Sequence, residues 1–526
     1  MNRINRIILI SLITIFQAQA ARPVARWDVV PDQLIDNSFN AGVVAFHDKG
    51  VKVEFSINSN LVYTAENPTL NKRTDVWEFW FKLDPSKYPD GKLLIDAKAI
   101  CLNNIPENPA YELPSLTLYA NSGKTLGSTI VKWVDSINGD DSSAGTEAAP
   151  YNTLVKGVTS TPSGGTIYLK AGGYSSQALG GGSSRPYWTT ISAAPDLDWD
   201  DVEVGNGRPS TQRLKWANLS LYTENSSEGY ATILSGENGN HSVWVDNCKS
   251  YNKGGRYAAS TTLFGNRYVA YVTGGLVTEV ANGPGGSIIR GLKLAKITSD
   301  AWTGSGKLVV NCFTEDIDRG PTSAHPDFHQ SYVVSPGWVE NVILYNVKGF
   351  ACKCQGLFGL RLRNSAFVNV MFEKDSGAVY NSQYSGPMEN VLFMHINFFN
   401  QTWLWRGSGS SAYTATDVVV KNNIHGTMST YEDGSIDGID LDYNHFVSTT
   451  KTMGDNITSG DPKFADPANR DYSLQKTSPA YSTGAFLQCV PTDIDGNPYD
   501  KTARNRGPYA KSTNETGLLT YIATQQ

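Results

Sequence analysis

From residue 21 to about 125, apolar and polar positions alternate in short runs, as in Val51-Lys52-Val53-Glu54-Phe55-Ser56-Ile57 and Ser115-Leu116-Thr117-Leu118-Tyr119, with another over Trp77 to Leu83. A period of two sends successive side chains to opposite faces of a strand. Turn residues such as Pro89-Asp90-Gly91 separate the runs. The pattern predicts a small antiparallel β-sandwich over 21–125. It holds no cluster of catalytic residue types, so a role as spacer or docking module is expected.

From residue 132 the pattern changes to six-residue apolar blocks closed by Gly, Asn or His. They are Gly286 to Gly291, Gly306 to Asn311, Asn341 to Asn346, Asn364 to Asn369, Asn390 to His395 and Asp417 to Asn422, with a further one ending at Asn444. Successive block ends lie 20, 35, 23, 26, 27 and 22 residues apart, close to one period with a single long excursion. No such repeat buries a core alone, so the rungs must stack. Asn at each block end tolerates a left-handed turn and can bond to the Asn of the next rung. The fold class expected is therefore all-β, a parallel β-helix (solenoid) preceded by a β-sandwich.

Composition changes this picture in three places. Met1 to Ala20 carries Arg3 and Arg6, an apolar run from Ile7 to Phe16 and Ala18-Gln19-Ala20, the order of a signal peptide, so a secreted protein, periplasmic or extracellular, is expected. No segment is long enough to span a bilayer. Net charge is −6, or −8 once the two leader arginines are subtracted (−6 − 2), and no basic block tracks nucleic acid. The six cysteines, Cys101, Cys248, Cys312, Cys352, Cys354 and Cys489, read as small buried side chains, although export leaves disulfides open. Cys352-Lys353-Cys354 lacks the second ligand pair of a zinc knuckle.

Two stretches carry a resemblance. Lys132-Trp133-Val134-Asp135, Asn138-Gly139-Asp140-Asp141, Pro150-Tyr151-Asn152-Thr153-Leu154 and Gly165 to Tyr174 look like the N-terminal cap of right-handed parallel β-helix proteins of the pectate-lyase-like superfamily. Asp461-Pro462-Lys463-Phe464 through Asp471-Tyr472-Ser473-Leu474, and Asp493-Ile494-Asp495-Gly496-Asn497-Pro498, are similar to its closing segment. The resemblance covers roughly 132–510, leaving 511–526 as a tail, and the sandwich ahead of it resembles an immunoglobulin-like or fibronectin-like domain. It implies a right-handed solenoid and a secreted protein acting on polysaccharide, most often a lyase and less often a glycoside hydrolase. The superfamily's calcium and arginine motifs do not transfer onto positions here.

Candidate chemistry gathers after the apolar blocks. Asp300, Asp327, Gln355, Tyr380 and Trp403 recur at 23 to 28 residues and would stack as one outward column. The densest site is His325-Pro326-Asp327-Phe328-His329-Gln330, where alternation places His325, Asp327 and His329 on one face and Phe328 in the core. Glu315, Asp316, Asp318 and Arg319 in the preceding excursion would form a loop over it. Lys353 lies one rung on, Arg361 and Arg363 would complete a local basic cluster, and Trp403, Trp405 and Arg406 offer sugar contacts.

For β-elimination from a uronic acid polymer, a cation must face the substrate carboxylate, a base must take the neighbouring proton, and a donor must protonate the leaving oxygen. Lys353 or Arg361 would be the cation, or calcium held by Asp300, Asp316, Asp318 or Asp327. His329 or His325 would be the base, histidine being the residue that titrates near neutral pH, and Tyr380 the donor. Hydrolysis would instead pair Asp327 with Asp316 or Asp318. A non-catalytic carbohydrate-binding or adhesion protein is the rival from another class. The chain is expected to act as a monomer without an organic cofactor. His329→Ala and Asp327→Ala are expected to fold normally if both side chains point outward, and His47, His241, His395, His425 and His445 read as structural.

Overall fold

The computed structural model describes residues 21–510 except 103–108, 175–177, 180–184, 206–207, 210–212, 225–229, 235–240, 258–259, 265–267, 323, 332–336, 375–381, 407–413, 432–437 and 449–453. The leader and the tail lie outside the described residues.

Two sheets build the N-terminal unit, antiparallel except where Leu34–Ile35 pairs parallel with Leu116–Ala120. One orders Val24–Trp27, Phe39–Phe46, Val76–Leu83 and Thr69–Asn71. The other runs Leu34–Ile35, Leu116–Ala120, Gly91–Cys101, Val51–Ile57 and Asn60–Ala65. Val51, Val53, Phe55 and Ile57 point inward and Lys52, Glu54 and Ser56 outward, as the alternation requires. Phe55, Phe79, Phe81 and Leu118 fill the space between the sheets.

The remainder is a parallel β-helix: one continuous parallel sheet of 25 strands winds through the described rungs. Helix Leu154–Ser160, capped by Thr153 Oγ1 on Lys156 N–H, buries Leu154 and Val158 in its core. Three faces repeat. Face A contains 308–310, 343–345, 366–368 and 391–394; face B contains 293–297, 313–317 and 347–352; face C contains 302–303, 327–331 and 355–360.

The corner from A to B falls at the expected block ends. Gly291, Asn311, Asn346, Asn369, His395 and Asn422 all have positive φ, and only the last corner differs, with Tyr443 rather than Asn444 in the left-handed region. The side chains ladder: Asn346 Nδ2 donates to Asn311 Oδ1 at 3.0 Å, and Asn369 Nδ2 to Asn346 Oδ1 at 3.0 Å. A second ladder, Asn390 to Asn364 at 3.1 Å, marks the corner from C to A.

Face A is buried on both sides, which is why its blocks are continuously apolar rather than alternating. Val309 and Leu344 point into the solenoid, whereas Leu308, Val310, Ile343, Tyr345 and Val368 pack against Val24, Val44 and Phe46 of the sandwich. Phe46 meets Tyr345 edge-on at 5.1 Å, and ion pairs Arg213–Asp32 (2.8 Å) and Lys421–Asp48 (3.0 Å) pin the margins. The sandwich is thus docked along the solenoid. Segment 464–510 folds back over the later rungs of face B, burying Phe350 and Met371 under Phe464, Tyr472 and Tyr509.

All six cysteines are buried free thiols, which agrees with their reading as small core residues. His47, His395, His425 and His445 are buried too, and His395 Nδ1 and His445 Nε2 each contact a backbone carbonyl.

Candidate active site

The corner between faces B and C gathers most of the predicted polar groups. Strand Leu308–Ile317 ends there with Asp316 at φ 60, a bulge repeated at Glu279, Lys296 and Ala351 that turns Ile317 and Cys352 into the core. The chain crosses 318–326 and re-enters face C as Asp327–Ser331. Glu315 and Asp316 therefore belong to a strand and not, as expected, to the loop.

Strict alternation fails at Asp327–Ser331. Phe328 packs on Phe372 at 5.0 Å and His329 meets Phe367 edge-on at 5.0 Å, so two consecutive side chains enter the core. His329 is 1% exposed, paired between Trp302 and Leu357. Burial, then the nearby Lys307 ammonium, lowers its pKa to about 3, so it stays neutral. His329 is a core residue, not an outward base.

Asp327 takes the other side with Gln330 and His325. Gln330 Nε2 donates to Asp327 Oδ2 at 2.9 Å, and His325 Nδ1 stands 3.5 Å from the same oxygen. His325 is 43% exposed and packs on Phe358, whereas Asp327 is fully buried and its Oδ1 has no hydrogen-bond partner among the described residues. Asp300 sits behind, its Oδ1 accepting Asp327 N–H at 3.0 Å, and Gln355 pairs with Asp327 on the next rung. The column Asp300, Asp327 and Gln355 exists as expected, but it is buried rather than outward-facing. Its burial is an outcome no spacing rule shows.

Burial raises both carboxyls. Asp300 reaches about 6, and Asp327 about 8, pushed by burial first and then by Asp300. A raised carboxyl pKa means the unfolded chain gives up its proton first as pH rises, so the contribution of Asp327 to stability is complete below about 4 and is lost towards about 8. Asp327→Asn should therefore gain stability relative to the parent between those limits, by as much as several kcal/mol. Thermal melts from pH 4 to 9 check this; a constant offset across the range would show that Asp327 is already ionised.

Charged pairs surround the corner. Lys353, 43% exposed, binds Asp318 at 3.0 Å; burial favours a higher Asp318 pKa, but Gly320 N–H and Lys353 outweigh it and hold the carboxylate low. Arg256 binds Asp316 at 2.9 Å, and the Tyr257 ring lies so close to Gly320, at φ 53, that a Cβ would overlap it. Arg256 and Tyr257 were not singled out from sequence, because they come from an earlier rung and no spacing links them to 318–326. Asp300, Asp316 and Asp318 do not converge, and among the described residues no three His, Cys, Asp or Glu side chains form a metal cluster.

Arg361 and Arg363 lie elsewhere. Both flank Trp338 at the corner from C to A, with Arg361 Nε bonded to Gly337 O at 2.6 Å and Arg363 Nε to Glu340 at 2.6 Å. The strand residues 355–360, about 20 Å at ~3.3 Å per residue, separate both from Lys353, so the expected basic cluster does not form. Tyr380 falls outside the described residues, as do the side chains of Trp403, Trp405 and Arg406.

No family model and no curated protein matches the chain. Among solved structures it is similar to XylC in complex with xylose, at 9% identity over 72% of this chain and 98% of that one, with a TM-score of 0.36. It is also similar to the lacto-N-biosidase of family GH136 from Eubacterium ramulus, at 10% identity over 64% and 69% and a TM-score of 0.34. A rhamnogalacturonan lyase matches at 11% identity over 73% and 96%, with a TM-score of 0.28. Scores this low carry neither fold nor chemistry across, so the functional reading rests on this chain's own side chains.

Proposed function

We propose that this chain is an exported polysaccharide lyase that cleaves an acidic, uronic-acid-containing polymer by β-elimination at the corner between faces B and C. The observation that carries the reading is the half-exposed His325 imidazole, whose Nδ1 faces the buried Asp327 carboxyl. In this reading the carboxyl behind the surface histidine accepts from Nδ1–H and so fixes the tautomer in which the far nitrogen, Nε2, takes a proton. His325 removes the proton from the carbon next to the uronate carboxylate, the electron pair left behind forms the ring double bond and expels the glycosidic oxygen, and that oxygen takes its proton from the imidazolium or from water. Lys353, exchanging Asp318 for substrate, neutralises that carboxylate. The reading gives this role to Lys353 rather than to calcium, so activity should survive a chelator.

Hydrolysis is the second reading, favoured by one observation: Asp327, at about 8, carries the proton a general acid needs at neutral pH. Its full burial counts against direct contact with a sugar unless segment 318–326 opens.

Purified protein incubated with acidic and neutral polysaccharides, with and without chelator, separates these. Ultraviolet absorbance rising with reducing ends marks elimination; reducing ends alone mark hydrolysis; polymer binding without product marks an adhesin.

A further inference from the structure

A second polar cleft, of about 490 Å³, opens between the sandwich and face A, well away from His325; Ser38, Phe39 and Arg73 line one wall and Trp244, Asp246 and Arg290 the other. Two guanidinium groups, those of Arg73 and Arg290, line it. Arg73 Nε and Nη2 are held by the backbone carbonyls of Asn40 and Asp28 at 2.7 Å. Arg290 pairs with Asp28, which is fully buried and has one oxygen without a partner. Glu78 is bonded to Asn71 and Thr74 and does not line the cleft; burial, then Asp28, raises its pKa. Asp246 is matched by Lys215 at 2.6 Å. Neither Asp28 nor Glu78 lines the cleft, and burial outweighs the attraction of both carboxyls and lowers the pKa of Arg73. Two aromatic rings frame these guanidinium groups. The Trp244 indole is fixed by its N–H bond to Thr273 Oγ1 at 2.7 Å, and Phe39 lies under the Arg73 guanidinium at 4.6 Å.

We propose that this cleft binds an acidic sugar, the carboxylate of a saccharide unit lying between Arg73 and Arg290 and its ring against Trp244. Guanidinium groups suit a carboxylate because their planar donors match its two oxygens, and an aromatic wall suits a pyranose. The anion half of the inference stands on the two guanidinium groups in the cleft wall; the sugar half rests on the reading above. The cleft then works as a hold on the polymer separate from the bond-breaking corner, which makes the docked sandwich part of substrate recognition rather than a spacer.

The test is calorimetric titration of the full mature chain with glucuronate, glucose and inorganic sulfate. Glucuronate should bind, glucose at least tenfold more weakly, and binding should weaken with added salt. Ser38→Trp fills the exposed rim without touching a buried charge and should weaken glucuronate binding tenfold or more; Arg73→Gln should do the same. In His325→Ala glucuronate binding should be unchanged, so a cleft that binds in a chain that cleaves nothing would sink the enzyme reading and leave the cleft standing. Equal affinity for glucose, or unchanged affinity in both Ser38→Trp and Arg73→Gln, overturns the proposal. Sulfate binding as tightly as glucuronate overturns its sugar half.

Discussion

His329→Ala melts well below the parent protein, by an amount equivalent to about 2–4 kcal/mol, because it empties a ring-sized volume between Trp302, Leu357 and Phe367. Sequence alternation leads to the opposite expectation, a normally folding variant. The effect arises in the core: no proton is transferred, and the ring is neutral across the working pH range. Thermal unfolding followed by circular dichroism measures it. A melting point within a degree of the parent would place His329 outside the core and restore it as a base. Residual folded His329→Ala should turn over near the parental rate per folded molecule, since the ring touches no substrate in this account.

His325→Ala should behave in the reverse sense. With a half-exposed side chain at the end of a loop, its loss changes stability by about 0.5 kcal/mol or less. Removing a general base typically lowers turnover by about 10²–10⁴. The fall should appear in kcat, with KM nearly unchanged, because Lys353 and the more distant cleft remain to hold the polymer. Initial rates on the best polysaccharide substrate, beside a melt of the same sample, check both halves. Loss of the cooperative transition together with activity would make His325 a turn residue and nothing more.

The contrast between these two histidines shows what was legible in the sequence. The repeat was readable because a corner needs a residue that tolerates positive φ and can bond to its neighbour, and Asn311, Asn346 and Asn369 advertise that need. The column of Asp300, Asp327 and Gln355 was readable for the same reason, since once the period is known residues one period apart align. Which way each side chain points was not readable. Alternation assumes an even pleat, and at the start of face C the chain comes out of a turn and sends Phe328 and His329 inward together, leaving Asp327 with Gln330. Arg361 and Lys353 are eight residues apart in sequence yet belong to different corners, because a strand separates them. Arg256 shows the converse: it is 60 residues from Asp316 and bonds to it.

The same logic explains the sandwich. Its apolar strands announced a core of their own, but the extra apolar residues that cover face A, Val24, Val44 and Phe46, look from sequence like ordinary strand residues. Only the matching excess on Leu308, Val310, Ile343 and Tyr345, apolar on the side that a free solenoid would show to water, hints that something packs there.

The most direct test of the central claim, elimination driven by His325, is a single assay: parent, His325→Ala and His329→Ala on an acidic polysaccharide, each normalised to folded protein, with ultraviolet absorbance and reducing ends recorded together. The account predicts that the parent generates both signals in step, that His329→Ala keeps them and that His325→Ala loses both. Reducing ends without absorbance in the parent, or undiminished absorbance from His325→Ala, would contradict it.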